Sequence, residues 1–223
     1  MAEGTLFARL KATCPAAWED YVRHPFVQGL GDGTLPKAAF RYYLGQDYLF
    51  LMHFARAYAL ALYKSDTLDD MRQAAGGVSA ILDTEIGLHV GYCAGWGLDE
   101  AGMAALPEDA GCMAYTRFVL ERGMAGDLLD LHAALAPCVV GYAEIGARLA
   151  VDPATRRDGN PYTDWIAMYA SADYQAVAQA EIDTLDRLAE RRGGEARFAS
   201  LADTFAKATH LEVAFWDMGW RRG

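Results

Sequence analysis

Cysteine is scarce in this 223-residue chain, and what there is has no pattern. Cys14, Cys93, Cys112 and Cys138 form no C-x-x-C or C-x-x-H spacing, which argues against a structural zinc site and against a secreted disulfide framework. Long apolar runs are missing too. No eighteen consecutive residues are free of charge, and the leading MAEGTLFARLKATC has no apolar h-region, so neither a membrane span nor export is expected. Reduced thiols in a cytoplasmic protein are the simplest expectation. Basic charge is in short supply: 20 Lys and Arg stand against 30 Asp and Glu, a formal net charge of −10. An acidic surface repels phosphate backbones, and the only local basic clusters, RRDGN and WRRG, are too short for a nucleic-acid footprint. The Glu-x-x-His motif of carboxylate-bridged di-iron bundles is absent.

Alternating apolar and polar runs are also lacking, while apolar residues recur at spacings of three and four over long stretches. The spacing predicts an all-α protein with helices over 5–22, 37–64, 66–95, 108–122, 127–150, 161–191 with a break near Ala170, and 195–220. The segments HPFVQGLGDGTLP, AGWGLDEAGM, RGMAGD and VDPATRRDGNPY read as punctuation between them. Pro36 is placed in the first turn of its helix, where a missing amide costs nothing. With 53% hydrophobic residues, no fixed-period repeat and no low-complexity linker, residues 1–223 are expected to share one core as a single domain.

Three helices carry a chemically active residue on an otherwise apolar seam. In the fifth, Leu128, Leu131, Leu135, Cys138, Tyr142, Ile145 and Leu149 share a face, which turns Cys138 inward. Pro137 beside it predicts a kink and a freed carbonyl, and Gly141 leaves room one turn on. In the second, Asp47 interrupts the stripe of Phe40, Tyr43, Phe50, Phe54 and Tyr58. An ionised carboxylate buried without partners is costly, so Asp47 needs donors or a ligand. In the last, Glu212 sits among Leu201, Phe205, Phe215 and Trp216. Each residue alone has an ordinary structural explanation: a buried thiol packs as a small hydrophobe, and a buried acid bonds a tyrosine or a helix end. Together they point to a pocket at the centre of a bundle. Tyr115, Tyr142 and Tyr169 fall on inward positions and suit a small, planar, nitrogen-bearing ligand.

The blocks HPFVQGLGDGTLP, YYLGQDYLFLMHFA, ILDTEIGLH, PCVVGYAEIG, DWIAMYAS and LEVAFWDM, in this order from about Leu6 to Trp220, resemble the TenA/thiaminase II family. The resemblance implies a heme-oxygenase-like multi-helix bundle without heme, usually a homotetramer. It also implies an aminopyrimidine hydrolase of thiamin salvage that needs no metal or organic cofactor. Such an enzyme converts 4-amino-5-aminomethyl-2-methylpyrimidine to its hydroxymethyl counterpart with release of ammonia, and members also split thiamin. On the matching positions the nucleophile is Cys138, the acid managing ring protons is Glu212, and the carboxylate on the amidine edge is Asp47. The pocket aromatics are Phe50, Tyr115, Tyr142 and Tyr169.

Phe50 lacks a hydroxyl that some relatives carry there, and Val139 with Val140 replaces a more aromatic pair, differences that bear on substrate preference. A second branch of the family lacks the thiol, and Cys138 places this sequence with the thiol-containing branch. No Lys, Arg or His falls one turn from Cys138 on its seam, and His89 and His132 are not placed to stabilise a thiolate. Substrate-linked proton transfer, or nearby phenols and carboxylates, is therefore the expected route of activation. Glu85 and His89, at i and i+4, are read as a polar pair on the helix surface or in the core, and His24, His53, Asp173 and Asp217 as structural. Two rival readings remain: a non-catalytic pyrimidine-binding protein, and a di-iron oxidase on the same bundle.

Overall fold

A computed structural model describes residues 4–95 and 97–223 of the chain, and residues 1–3 and Trp96, which fall within the predicted 1–223 domain, lie outside the described residues. The described elements are helical. Three short helices, α1 (Leu6–Lys11), α2 (Pro15–Val22) and α3 (Pro25–Asp32), precede the long α4 (Lys37–Lys64). Next come α5 (Leu68–Ser79), a π-helical stretch over Ala80–Glu85, and α6 (Ile86–Ala94). They are followed by α7 (Glu100–Ala104), α8 (Ala110–Ala125), α9 (Leu128–Val151), α10 (Thr163–Ala170), α11 (Ala172–Arg191) and α12 (Phe198–Trp220).

Local chemistry explains where the predicted boundaries move. The helix expected over 5–22 is two, because Pro15 takes the first position of α2 and cannot donate back into α1. The loop expected around residue 25 is the helix α3, with Pro25 at its start and the His24 ring capping the Phe26 amide at 3.1 Å. Gly33 ends α3 in the left-handed region at φ 76°, a conformation that glycine adopts without strain. Pro36 is the N-cap of α4 rather than a first-turn residue. Within AGWGLDEAGM, Asp99 caps the short α7. Ser171 makes the break between α10 and α11, and its hydroxyl accepts from the Tyr174 amide at 3.2 Å. Asp127 and Asp130 form a reciprocal capping box on α9.

The helix expected to run unbroken over 66–95 contains the π-helical stretch. A π turn carries an extra residue, so side chains before and after it fall on faces that a regular 3.6-residue period does not predict.

Helix α9 is the centre of the bundle, packed against α8, α10, α11 and α12. By length and composition it is the described helix that could cross a membrane, but 67% of its most apolar window is buried against these neighbours. It continues through Pro137 without interruption. The Tyr21 hydroxyl donates to the Pro137 carbonyl at 3.3 Å, and the Tyr21 ring occupies the space that Gly141 leaves. A Cβ on Gly141 would lie 2.2 Å from Tyr21 Cε1. Below the seam, Trp216 packs on Phe26 (4.9 Å between centroids), Tyr43 (5.2 Å) and Tyr142 (5.3 Å). This aromatic floor joins the seams of α4, α9 and α12.

Candidate active site

A cavity of about 340 Å³ opens between α4, the π-helical stretch, α9, α10 and α11. Its walls are mostly apolar with a few polar groups, the usual make-up of a small-molecule site. Of the residues singled out from sequence, Asp47, Phe50, Cys138, Tyr142 and Tyr169 line it. Glu212 and Tyr115 do not. Both are fully buried next to the thiol, where Tyr115 Oη donates to Glu212 Oε1 at 2.8 Å and Glu212 acts electrostatically on Cys138.

Asp47 is held from two sides. His89 Nε2 lies 2.6 Å, and Tyr43 Oη 2.9 Å, from the same oxygen, Oδ2. Trp165 Nε1 approaches Tyr43 Oη at 3.4 Å, as does the Tyr142 hydroxyl. Among the described residues no donor takes Asp47 Oδ1, so an acceptor is left for a ligand on the cavity side. The other ring nitrogen of His89 donates to the Glu85 carbonyl at 2.8 Å. The Glu85 carbonyl can only accept, so Nδ1 carries a proton, and Nε2 shares a hydrogen bond with the Asp47 carboxyl. Burial alone lowers the basicity of this ring, but its hydrogen bonds with Asp47 and the Glu85 carbonyl and the charges of Asp47 and Glu85 reverse that and raise it above the ordinary histidine value. The Glu85–His89 reading is thereby corrected: the imidazole meets the backbone of Glu85, not its carboxyl, and its side-chain partner is Asp47, 42 residues away.

Glu85 itself faces the cavity, half-buried. Burial, with the Asp47 charge, pushes its carboxyl up to about 7 against the opposing pull of His89. Burial pushes Glu212 up to about 8, and Asp47 adds to this, while hydrogen bonds from Tyr115 and Cys138 hold it back. The Cys138 thiol is raised well above its usual value, first by burial and then by the charges of Glu212, Asp47 and Glu85. The leading charges on the sulfur are acidic, so in the free protein it is held as a thiol with the Glu212 carboxyl nearby.

Sequence reasoning missed His89, Glu85 and Tyr174. The block ILDTEIGLH held the signal for the first two, but the π-helical turn hides which face they occupy. Asp173, read as structural, stands exposed at the cavity rim. His24 is structural, bonded to Phe26 and Asp217, and His53 sits beside Arg56 and Arg117 on the surface. Both ring nitrogens of His89 are engaged, and among the described residues no cluster of three His, Cys, Asp or Glu side chains could hold a metal ion.

Tyr169 owes its place to Gly146. A Cβ on Gly146 would come within 2.5 Å of the Tyr169 carbonyl carbon and 2.7 Å of the Ala170 nitrogen, backbone atoms with nowhere to go. Gly146→Ala is expected to cost about 1–3 kcal/mol through overpacking. Thermal unfolding measures that loss, and a raised KM reports displacement of Tyr169.

A helical bundle with a thiol, a relay of carboxyls and an aromatic cavity at its centre is the architecture of a small-molecule enzyme. The chain belongs to the TENA/THI-4/PQQC family, whose sequence profile matches residues 12–222. It is 43% identical over 202 residues to an uncharacterized protein of Haemophilus influenzae, covering 91% of this chain and 93% of that one. It is 37% identical over 203 residues to an aminopyrimidine aminohydrolase of Halalkalibacterium halodurans, covering 91% and 90%. Among solved structures, a TenA family transcription regulator from Silicibacter sp. TM1040 superposes with a TM-score of 0.92 at 48% identity, covering 97% of both chains. A domain from Shewanella denitrificans described as having a heme oxygenase-like fold superposes at 0.72 with 15% identity, covering 96% of this chain and 92% of that one. The fold is heme-oxygenase-like, as the sequence blocks imply.

Proposed function

We propose that this protein is an aminopyrimidine aminohydrolase of thiamin salvage that works through a cysteine nucleophile. The enzyme class, a hydrolase acting on C–N bonds, rests on family membership and on relatives so named. The observation that carries the finer reading is that Cys138 and Asp47, from separate helices, line one cavity, with the hydrogen-bonded Tyr115–Glu212 pair buried next to the sulfur.

In this reading the pyrimidine stacks among Phe50, Tyr142 and Tyr169, and the free Asp47 Oδ1 accepts from the ring's amino group. The sulfur adds to the electron-poor ring as its proton moves to Glu212 and the Glu212 proton moves to a ring nitrogen. No prior thiolate is required, which fits a sulfur surrounded by acids. The amine departs from the exocyclic methylene, water adds there, and the thiol is released. Incubation with the aminomethyl pyrimidine and with thiamin tests the reading: hydroxymethyl pyrimidine is expected, with one equivalent of ammonia from the first. A protein that binds the pyrimidine and releases no ammonia is the non-catalytic binder instead.

The assembly belongs to the same proposal. Tyr63, Leu68 and Met124 are 84%, 60% and 73% exposed, and Lys64 Nζ, 3.4 Å from the Met124 carbonyl, ties the ends of α4 and α8 into one apolar surface. A second copy covering that surface accounts for its composition. Sedimentation velocity is expected to give four times the chain mass of 24.3 kDa, and Tyr63→Glu a smaller species. A monomeric parent contradicts this.

A further inference from the structure

The reaction ends with ammonia leaving carbon, and an amine leaves badly unless its nitrogen gains a proton. Four acids surround the cavity, and three have other duties. Asp47 is fixed as an acceptor by His89 and Tyr43. Glu212 is buried off the cavity wall, where it accepts from Tyr115. Asp173 is exposed at the rim, where water competes for it. Glu85 alone faces the cavity half-buried with no side-chain hydrogen bond to any described residue. It ends the π-helical stretch, whose altered register turns it toward the cavity together with Ile81 and Thr84.

Resting on the hydrolase reading above, we infer that Glu85 is the proton donor to the departing amine, recharged afterwards by the proton that the incoming water sheds. As the ring C–S bond forms and the ring nitrogen is protonated, the exocyclic C–N bond breaks. Its electron pair stays on nitrogen, which takes the Glu85 proton and leaves as ammonia. Water then adds to the exocyclic methylene and returns a proton to the Glu85 carboxylate. The ring expels the sulfur as it regains aromaticity, and its nitrogen proton goes back through Glu212 to the thiol. A carboxyl on the cavity wall that burial keeps protonated up to about 7 is placed to supply the leaving group's proton.

Thiamin provides the control, because its thiazolium departs as a neutral thiazole and needs no proton. Glu85→Gln is expected to lower kcat for ammonia release from the aminomethyl pyrimidine about a hundredfold or more. Thiamin cleavage by the same variant is expected to stay within about threefold of the parent, the scale of a geometric disturbance rather than a lost acid. Glu85→Asp, which keeps a carboxyl, is expected to recover part of the ammonia release. Titration with hydroxymethyl pyrimidine verifies that each variant retains a folded site. Equal loss on both substrates in a variant that still binds the product, or no loss on either, overturns the assignment of Glu85. A parent inactive on both substrates overturns the hydrolase reading itself.

Discussion

Cys138→Ser is expected to bind hydroxymethyl pyrimidine as the parent does and to lose ammonia release by at least about a thousandfold. The loss is so large because the sulfur supplies the covalent step, and no other group on the cavity wall replaces it. A serine hydroxyl fits the same space, but it is a far weaker nucleophile, and here it would be activated only by a neighbour that is itself mostly protonated at neutral pH. The other cysteines offer no rescue. Cys14, Cys93 and Cys112 do not line the cavity, and burial raises all three thiols, Cys112 well out of the reactive range. Steady-state ammonia release with parallel binding titrations measures both halves of the prediction. Retained turnover in the serine variant removes the nucleophile from the account.

Glu212→Gln is expected to be nearly inactive and yet more stable than the parent in mild alkali. Removing the proton relay costs about 10²–10⁴ in kcat/KM. With thiamin as substrate, the parent's kcat/KM is expected to fall as pH rises through about 8, where Glu212 loses the proton that it must deliver. That limb disappears in the variant. The stability effect has the sign of a carboxyl whose folded value is raised. The folded protein holds a proton that the unfolded chain releases near 4.5, so this contribution is complete below that value and is lost as pH climbs through about 8. Glutamine carries no such penalty. The gain on replacement is expected to be near zero at pH 5 and on the order of 3 kcal/mol by pH 9. Thermal unfolding of both proteins at the two pH values reads it directly. A variant less stable than the parent at pH 9 contradicts a buried, proton-holding Glu212.

Gains of this kind are expected where a group is kept for chemistry at the expense of stability. Glu212, Cys138 and Asp47 are each a polar interruption in an apolar stripe, and that is why they were legible in the sequence. Helical periodicity says which face is buried, and a thiol or carboxyl on that face needs an explanation. The same argument drew Tyr115 inward correctly, but it cannot tell a residue on the cavity wall from one standing behind it, where Tyr115 and Glu212 are found.

What escaped the sequence depended on contacts across the chain or on broken periodicity. His89 joins Asp47 from another helix, and its spacing from Glu85 suggested a side-chain pair that the imidazole in fact bypasses for the backbone. The π-helical stretch over Ala80–Glu85 leaves no trace in a pattern scanned at 3.6 residues per turn, so the choice between surface and core for Glu85 stayed open in the sequence. Helix α3 was hidden by its own glycines, Gly29 and Gly31, which look like loop punctuation. A Cβ on Gly29 would lie 3.1 Å from Leu35, and one on Gly31 2.9 Å from a Leu149 methyl, so close packing explains both. Long helices such as α4 and α9, by contrast, moved by a residue at most from their predicted ends.

The central claim is that a sulfur and a set of carboxyls from separate helices act on one flat ring. Its most direct test is a crystal structure of the Cys138→Ser variant with the aminomethyl pyrimidine bound. The account predicts the ring among Phe50, Tyr142 and Tyr169, a reactive ring carbon about 3–3.5 Å from the serine oxygen, and the amino edge on Asp47 Oδ1. A pyrimidine bound outside this cavity, or one whose ring turns its edge away from Asp47 and its carbons away from residue 138, contradicts it.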